Sequence, residues 1–152
     1  MDKLALWEVF VFSVPEAAVI ISIALGLAGV KFDTVKGTAM SLIMGLILYF
    51  IRPLVTSYIV NVIIYVILLV TLFLLFKMMD LFRSIMSVTL AVSIYLIIEY
   101  LNVNAMQFLF DLDPTVLLQN YALRFACFLP QLAVAILFSI LIRKYRLFLF
   151  VE

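Results

Sequence analysis

The feature that most restricts this chain is how little polar sequence separates its apolar segments. Residues 9–30, 38–51, 58–76, 84–101 and 115–142 form five such segments, joined by loops of only a few polar residues. A bilayer core takes about 20 helical residues, with a range of roughly 17–25. Composition agrees: the 152 residues are 68% hydrophobic and 12% charged, whereas soluble domains carry roughly 45–50% apolar and about 25% charged residues. The expectation is an all-α polytopic membrane bundle of about five transmembrane helices, forming one domain over residues 1–152, with no room for a separate soluble domain.

Local breakers divide the segments. Arg52-Pro53 ends the second one, because proline lacks the backbone donor and disfavours helix in the residue before it. Without that break, 38–76 as one helix would reach ~58 Å at 1.5 Å per residue, too long for one crossing, so a tight turn is predicted over 52–57. Lys31–Gly37 and Lys77–Arg83 read as loops. Residues 102–114 lack Lys and Arg and alternate polar with apolar side chains, which suits a segment lying on a membrane surface. Asp113-Pro114 resembles an N-cap followed by proline at the first helical position. The apolar tail 147–152 has no evident role.

Lys/Arg bias sets orientation in membranes. With five spans, one side receives Lys31, Lys36, Lys77, Arg83, Arg143, Lys144 and Arg146, and the other only Lys3 and Arg52. The N-terminus is therefore expected outside and the C-terminus in the cytoplasm. A cleavable signal peptide is not expected, because the first apolar run is too long and contains Glu8 and Glu16. Tyr58, Tyr100 and Tyr121 suit an outer aromatic belt and Tyr145 an inner one.

Several chemistries are disfavoured. With no histidine and a single cysteine, Cys127, an imidazole-based metal or haem site, a Ser-His or Cys-His pair and an intramolecular disulfide have no residues to build them. No cofactor, no metal and no enzymatic activity are expected. The net charge of +1 without a basic cluster argues against nucleic acid. Cys127, amid apolar residues, reads as an inert buried thiol.

Small residues recur at helical spacing. Ala18, Ser22, Gly26 and Gly29 form one stripe, and Gly37, Ser41 and Gly45 another. Such stripes let helix backbones approach closely where lipid supplies no hydrophobic drive, so the first two spans should form a tight hairpin. Glu16 lies about 200° round the helix from Ala18 and should face another neighbour.

The charges of the outer half carry the functional signal. Glu8, Glu16, Arg52, Glu99 and Arg124 all map there. A charge inside a span costs at least ~2.5–3.5 kcal/mol at mid-membrane, so such residues pair or line a polar cavity. Arg124 and Gln131 share a face of the last span, and Arg124 is the expected counter-charge of Glu16. Pro15 before Glu16 and Pro130 before Gln131 should weaken the first and last helices, the latter by freeing the carbonyl of Ala126. One reading is a polar pocket open to the outside, built from Glu16, Glu99, Arg124 and Gln131. The other is that Arg52, Glu99 and Arg124 snorkel to the headgroups. Glu8, next to Trp7, reads as interfacial, and Asn61 as a residue that could hydrogen-bond between helices.

Ser13–Lys31 (S-V-P-E-A-A-V-I-I-S-I-A-L-G-L-A-G-V-K) and Phe128–Lys144 (F-L-P-Q-L-A-V-A-I-L-F-S-I-L-I-R-K) resemble the multi-span input modules of Firmicute accessory-gene-regulator-type sensor histidine kinases. That resemblance implies a bacterial cell-membrane protein that receives an extracellular peptide or membrane signal. These 152 residues include no kinase domain, and without histidine they are not expected to autophosphorylate in that manner. A sensor-like module, excised or standing alone, is what the resemblance implies.

Three functions compete. A non-enzymatic membrane sensor would bind a ligand or partner outside and signal through its cytoplasmic face. A small accessory subunit of a larger transporter or energy-converting assembly would use its stripes and charges against partner helices. A transporter built on Glu16 would need homo-oligomers to enclose a path. Membrane lipids are partners in every case, with a protein partner in the membrane or at the cytoplasmic face in the first two.

Overall fold

An aspartate or asparagine opens four of the helices, and the reason is local. The first backbone N–H groups of a helix have no partner within it, and a short side-chain acceptor supplies one. Asp33 accepts from Val35 and Lys36 N–H (3.0 and 3.2 Å), Asp80 from Arg83, Asp113 from Thr115 (3.0 Å), and Asn120 from Ala122 and Leu123 (3.1 and 3.4 Å).

The computed structural model describes residues 5–150, without the side chains of Pro114, Leu117 and Leu118. The order is α1 (Leu6–Leu27), α2 (Thr34–Ile51), α3 (Tyr58–Leu75), α4 (Leu81–Phe110), α5 (Pro114–Gln119) and α6 (Tyr121–Lys144). There is no strand among the described residues. Counting α2 with the 3₁₀ turn Arg52–Leu54 that follows it, five helices (all but α5) are long and apolar enough to cross a membrane. The N-terminal residues Asp2 and Lys3 and the last two residues lie outside the described part.

Several boundaries differ from the sequence expectation. Helix α2 begins at Thr34 rather than near residue 38, because the Asp33 cap starts it earlier. Residues 102–110 do not form a separate surface segment. They contain no proline or glycine and simply continue α4, which ends where Asp111 turns left-handed at φ 48°. At 1.5 Å per residue α4 is about 45 Å long, so its last turns exceed a ~30 Å hydrocarbon core. The expected last segment, 115–142, is split at Asn120 into α5 and α6.

Helix α1 is the axle. Ile20, Ile21, Ile23, Ala24 and Leu25 are buried on successive positions, which places neighbours all round. Helices α2, α4 and α6 pack directly on it, while α3 lies against α4 and touches α2 only lightly. The α1–α2 hairpin forms, but not through both small-residue stripes. A Cβ on Gly45 would meet Val14 and Val9 of α1. The α1 stripe instead faces α6: Ser22 and Ser139 share a hydrogen bond (2.7 Å), and a Cβ on Gly26 would sit 3.2 Å from Ile142. Ala18 is half-buried on the same stripe. Gly37 is covered by Phe32 of the preceding loop, and Ser41 donates back to the Gly37 carbonyl (2.7 Å). Gly29 lies past the end of α1 at φ 72°, beneath the Phe148 ring.

The two ends of the bundle are tied differently. At the end carrying the chain termini of α2 and α4 nearest the loops 28–33 and 76–80, the tail acts as a strap. Leu149 N–H donates to the Leu27 carbonyl (2.7 Å), and Arg143 donates to the Ser22 carbonyl (3.2 Å). Phe150 lies beside Phe82 and Arg83 of α4. At the other end, aromatic edges join α1 to α6: Trp7 with Tyr121 (5.5 Å) and Phe12 with Phe128 (5.2 Å).

Candidate functional site

Between these tied ends the bundle leaves a cavity of about 480 Å³, open to the surface. Its position follows from two proline-modified helices. Pro15 has no N–H, and the turn before it, Val9–Ser13, widens to a π-helix in which Val14 N–H reaches back to the Val9 carbonyl. Single π-turns of this kind commonly mark functional sites. In α6, Pro130 sits inside the helix. The carbonyl that finds an external donor is that of Cys127 rather than Ala126: Asn102 Nδ2 donates to it at 2.9 Å.

All five helices that could span a membrane contribute polar groups to this cavity. Glu16 comes from α1, Arg52 from the turn after α2, Asn61 and Tyr65 from α3, Glu99 from α4, and Arg124 and Gln131 from α6. The five charged and amide residues singled out from the sequence are thus brought to one place, while Glu8 is not. Glu8 is 3% exposed, and its carboxylate accepts the Ala5 N–H at 2.8 Å. It closes the first turn of α1 instead of facing outward.

Pairing differs from the expectation. The partner of Glu16 is Arg52, at 3.9 Å, both side chains being 24% exposed. Arg124 instead lies over the Phe12 ring, 5.2 Å from its centroid. Azimuth explains the exchange. The Pro53 break ends α2 with Arg52 beside the α1–α2 contact, whereas Arg124 leaves α6 on the side held by the Phe12–Phe128 aromatic edge. Glu99 lines the same cavity with no cation within salt-bridge distance among the described residues.

Further wall residues had not been singled out as a site. Tyr95 and Asn102 share a face of α4 with Glu99, and Tyr58, Asn61 and Tyr65 lie on one face of α3. Their spacing of three, four and seven residues is that of a single helical stripe, and reading polar and aromatic residues together would have found both. Tyr65 is 7% exposed with no hydrogen-bond partner for its hydroxyl, and Asn61 Oδ1 is likewise buried and unpartnered. Asn61 therefore does not bridge helices through that oxygen. Gln131 is 7% exposed beside Tyr95. Cys127 is half-buried on the cavity wall, not enclosed by apolar side chains.

Chemically, the cavity offers separated charges, aromatic faces and unsatisfied acceptors. Among the described residues no group of three or more Cys, Asp or Glu side chains could hold a metal ion. Its size lies in the roughly 300–1,000 Å³ range of small-molecule sites, which are largely apolar with a few placed polar groups.

Fold and site together define a helical bundle of membrane-spanning dimensions with a mixed-charge cavity lined by all five of its long helices. Comparison with family models, with curated proteins and with solved structures gave no match in any of the three.

Proposed function

We propose that this chain is a non-enzymatic integral membrane sensor or regulatory module. It lies multi-pass in a cell membrane with its N-terminus outside. A ligand or partner segment binds in the outward-facing cavity, and the response is read at the cytoplasmic end. The observation that carries this reading is the convergence of Glu16, Arg52, Glu99, Arg124 and Gln131, from four separate segments, on one open cavity. Intramembrane ionisable groups are expensive, and a functional role is the default reading for them.

A route for the response is supported by how α1 and α6 are built. Each carries its proline beside the cavity. At the far end the two are joined by the Ser22–Ser139 bond, the Arg143–Ser22 contact and the Leu149–Leu27 bond. A shift of either helix at the cavity would be delivered to the strap at 147–150 as a motion of the pair. The resemblance of Ser13–Lys31 and Phe128–Lys144 to sensor input modules favours the same reading.

Cys127, the single thiol, is the natural probe. A membrane-impermeant maleimide is expected to label it in intact cells, and the bulky adduct is expected to change amide exchange at Leu147–Phe150. Labelling only in inverted vesicles would overturn the orientation. Exchange at the strap that ignores the adduct would overturn the coupling.

A further inference from the structure

The charges of the cavity are balanced in sum and unbalanced in place. On one side Arg52 pairs with Glu16 at 3.9 Å, and Glu99 has no cation within salt-bridge distance among the described residues, which leaves one carboxylate without a cation of its own. Around that surplus lie acceptors and aromatic faces: the unpartnered Asn61 Oδ1, the unpartnered hydroxyl of the nearly buried Tyr65, and the rings of Tyr58 and Tyr95. A desolvated cation is attracted to the faces of such rings. On the other side Arg124 rests on Phe12 with no carboxylate within salt-bridge distance among the described residues.

We propose that the cavity takes a zwitterion, an organic ammonium joined by a short linker to a phosphate or carboxylate. This is the chemistry shared by an aminophospholipid headgroup and its free, water-soluble counterpart. The ammonium sits between Glu99 and the tyrosines, and the anion accepts from the Arg124 guanidinium. A plain anion would leave the Glu99 side without a cation. A plain cation would leave Arg124 unpaired. A zwitterion completes both, and the buried, unpartnered Tyr65 hydroxyl and Asn61 oxygen gain a donor. The inference rests on the cavity being a ligand site, and it names the class of ligand.

The test is native mass spectrometry of the full chain in a non-ionic detergent. The probes are dioleoyl-phosphatidylethanolamine, dioleoyl-phosphatidylglycerol and water-soluble glycerophosphoethanolamine. The ethanolamine lipid is expected to bind roughly tenfold more tightly than the glycerol lipid, the scale of one charge-assisted hydrogen bond. Glu99→Gln should erase that preference without weakening the glycerol lipid, and Arg124→Gln should weaken both lipids together. Binding of glycerophosphoethanolamine at similar affinity assigns a soluble ligand, and binding of the diacyl form alone assigns the lipid. The wild-type comparison decides even if a variant fails to fold. Equal affinity for the two lipids, both lowered by Arg124→Gln or by a maleimide on Cys127, overturns the zwitterion and leaves the ligand site standing. Lipid affinities indifferent to both perturbations overturn the ligand site as well.

Discussion

Gly45→Ala should destabilise the bundle, and the closely analogous Gly37→Ala should not. A Cβ at Gly45 would stand 2.8 Å from Val14 Cγ2 and 3.1 Å from Val9 Cγ1. Both valines lie within α1 around its π-turn, Val9 is buried, and a β-branched side chain in a helix has one strongly preferred rotamer. Neither methyl can swing aside, so α1 and α2 must part. Overpacking of this kind costs about 1–3 kcal/mol, and alanine returns about 1 kcal/mol of helix propensity over glycine. The net is a loss of about 0–2 kcal/mol. At Gly37 the nominal clash is closer, 2.6 Å from Phe32 Cζ. Phe32, however, is an exposed ring on the 28–33 loop and can rotate away, giving up a cation–π contact with Arg143 worth about 0.5–1 kcal/mol at exposed sites. Gly37→Ala should therefore be near neutral. The assay is reversible unfolding in mixed micelles with increasing dodecyl sulfate, followed by far-ultraviolet circular dichroism. If Gly45→Ala matches the wild type while Gly37→Ala loses stability, close approach of α1 and α2 at Gly45 is refuted.

Other outcomes follow from the same contacts. A double-mutant cycle on Ser22→Ala and Ser139→Ala should give a coupling of about 0.6 kcal/mol, at most about 1.7, the range found for hydrogen bonds between membrane helices; zero coupling would remove the α1–α6 bond from the account. Arg52→Gln should cost more unfolding free energy than Glu16→Gln, because it leaves two carboxylates of one cavity, Glu16 and Glu99, without a cation within salt-bridge distance, while Glu16→Gln removes one of the two acids and keeps Arg52. The reverse order would show that Arg52 does not offset the cavity carboxylates. At the α5 start, the Thr115 N–H and hydroxyl hold the Asp113 carboxyl below the usual aspartate range. A depressed folded value means the cap is fully effective above the ordinary aspartate range and fades as pH falls through the folded midpoint. The Thr115 amide resonance should therefore titrate below that range, and Asp113→Asn should abolish the transition.

What the chain determined by itself is local in origin. Span-length apolar runs, the Arg52-Pro53 break and the Asp113-Pro114 start depend on residues within a few positions of one another, so the number of long apolar helices and most of their limits were readable directly. Charges scattered over 8, 16, 52, 99 and 124 could also be placed towards one end of the bundle, because an up-and-down order of short loops assigns every residue a depth. Depth is not azimuth. Which helix a stripe faces depends on how all the helices rotate against α1, and that is settled by packing among residues far apart in sequence. Hence Ser22 and Gly26 turned to α6 instead of α2, Glu16 met Arg52 instead of Arg124, and Glu8 folded back onto its own helix start. The unpartnered oxygens of Asn61 and Tyr65 were likewise invisible until α3 was laid beside α4. Linear sequence fixes how deep a polar group lies, and only the packed helices decide what it meets there.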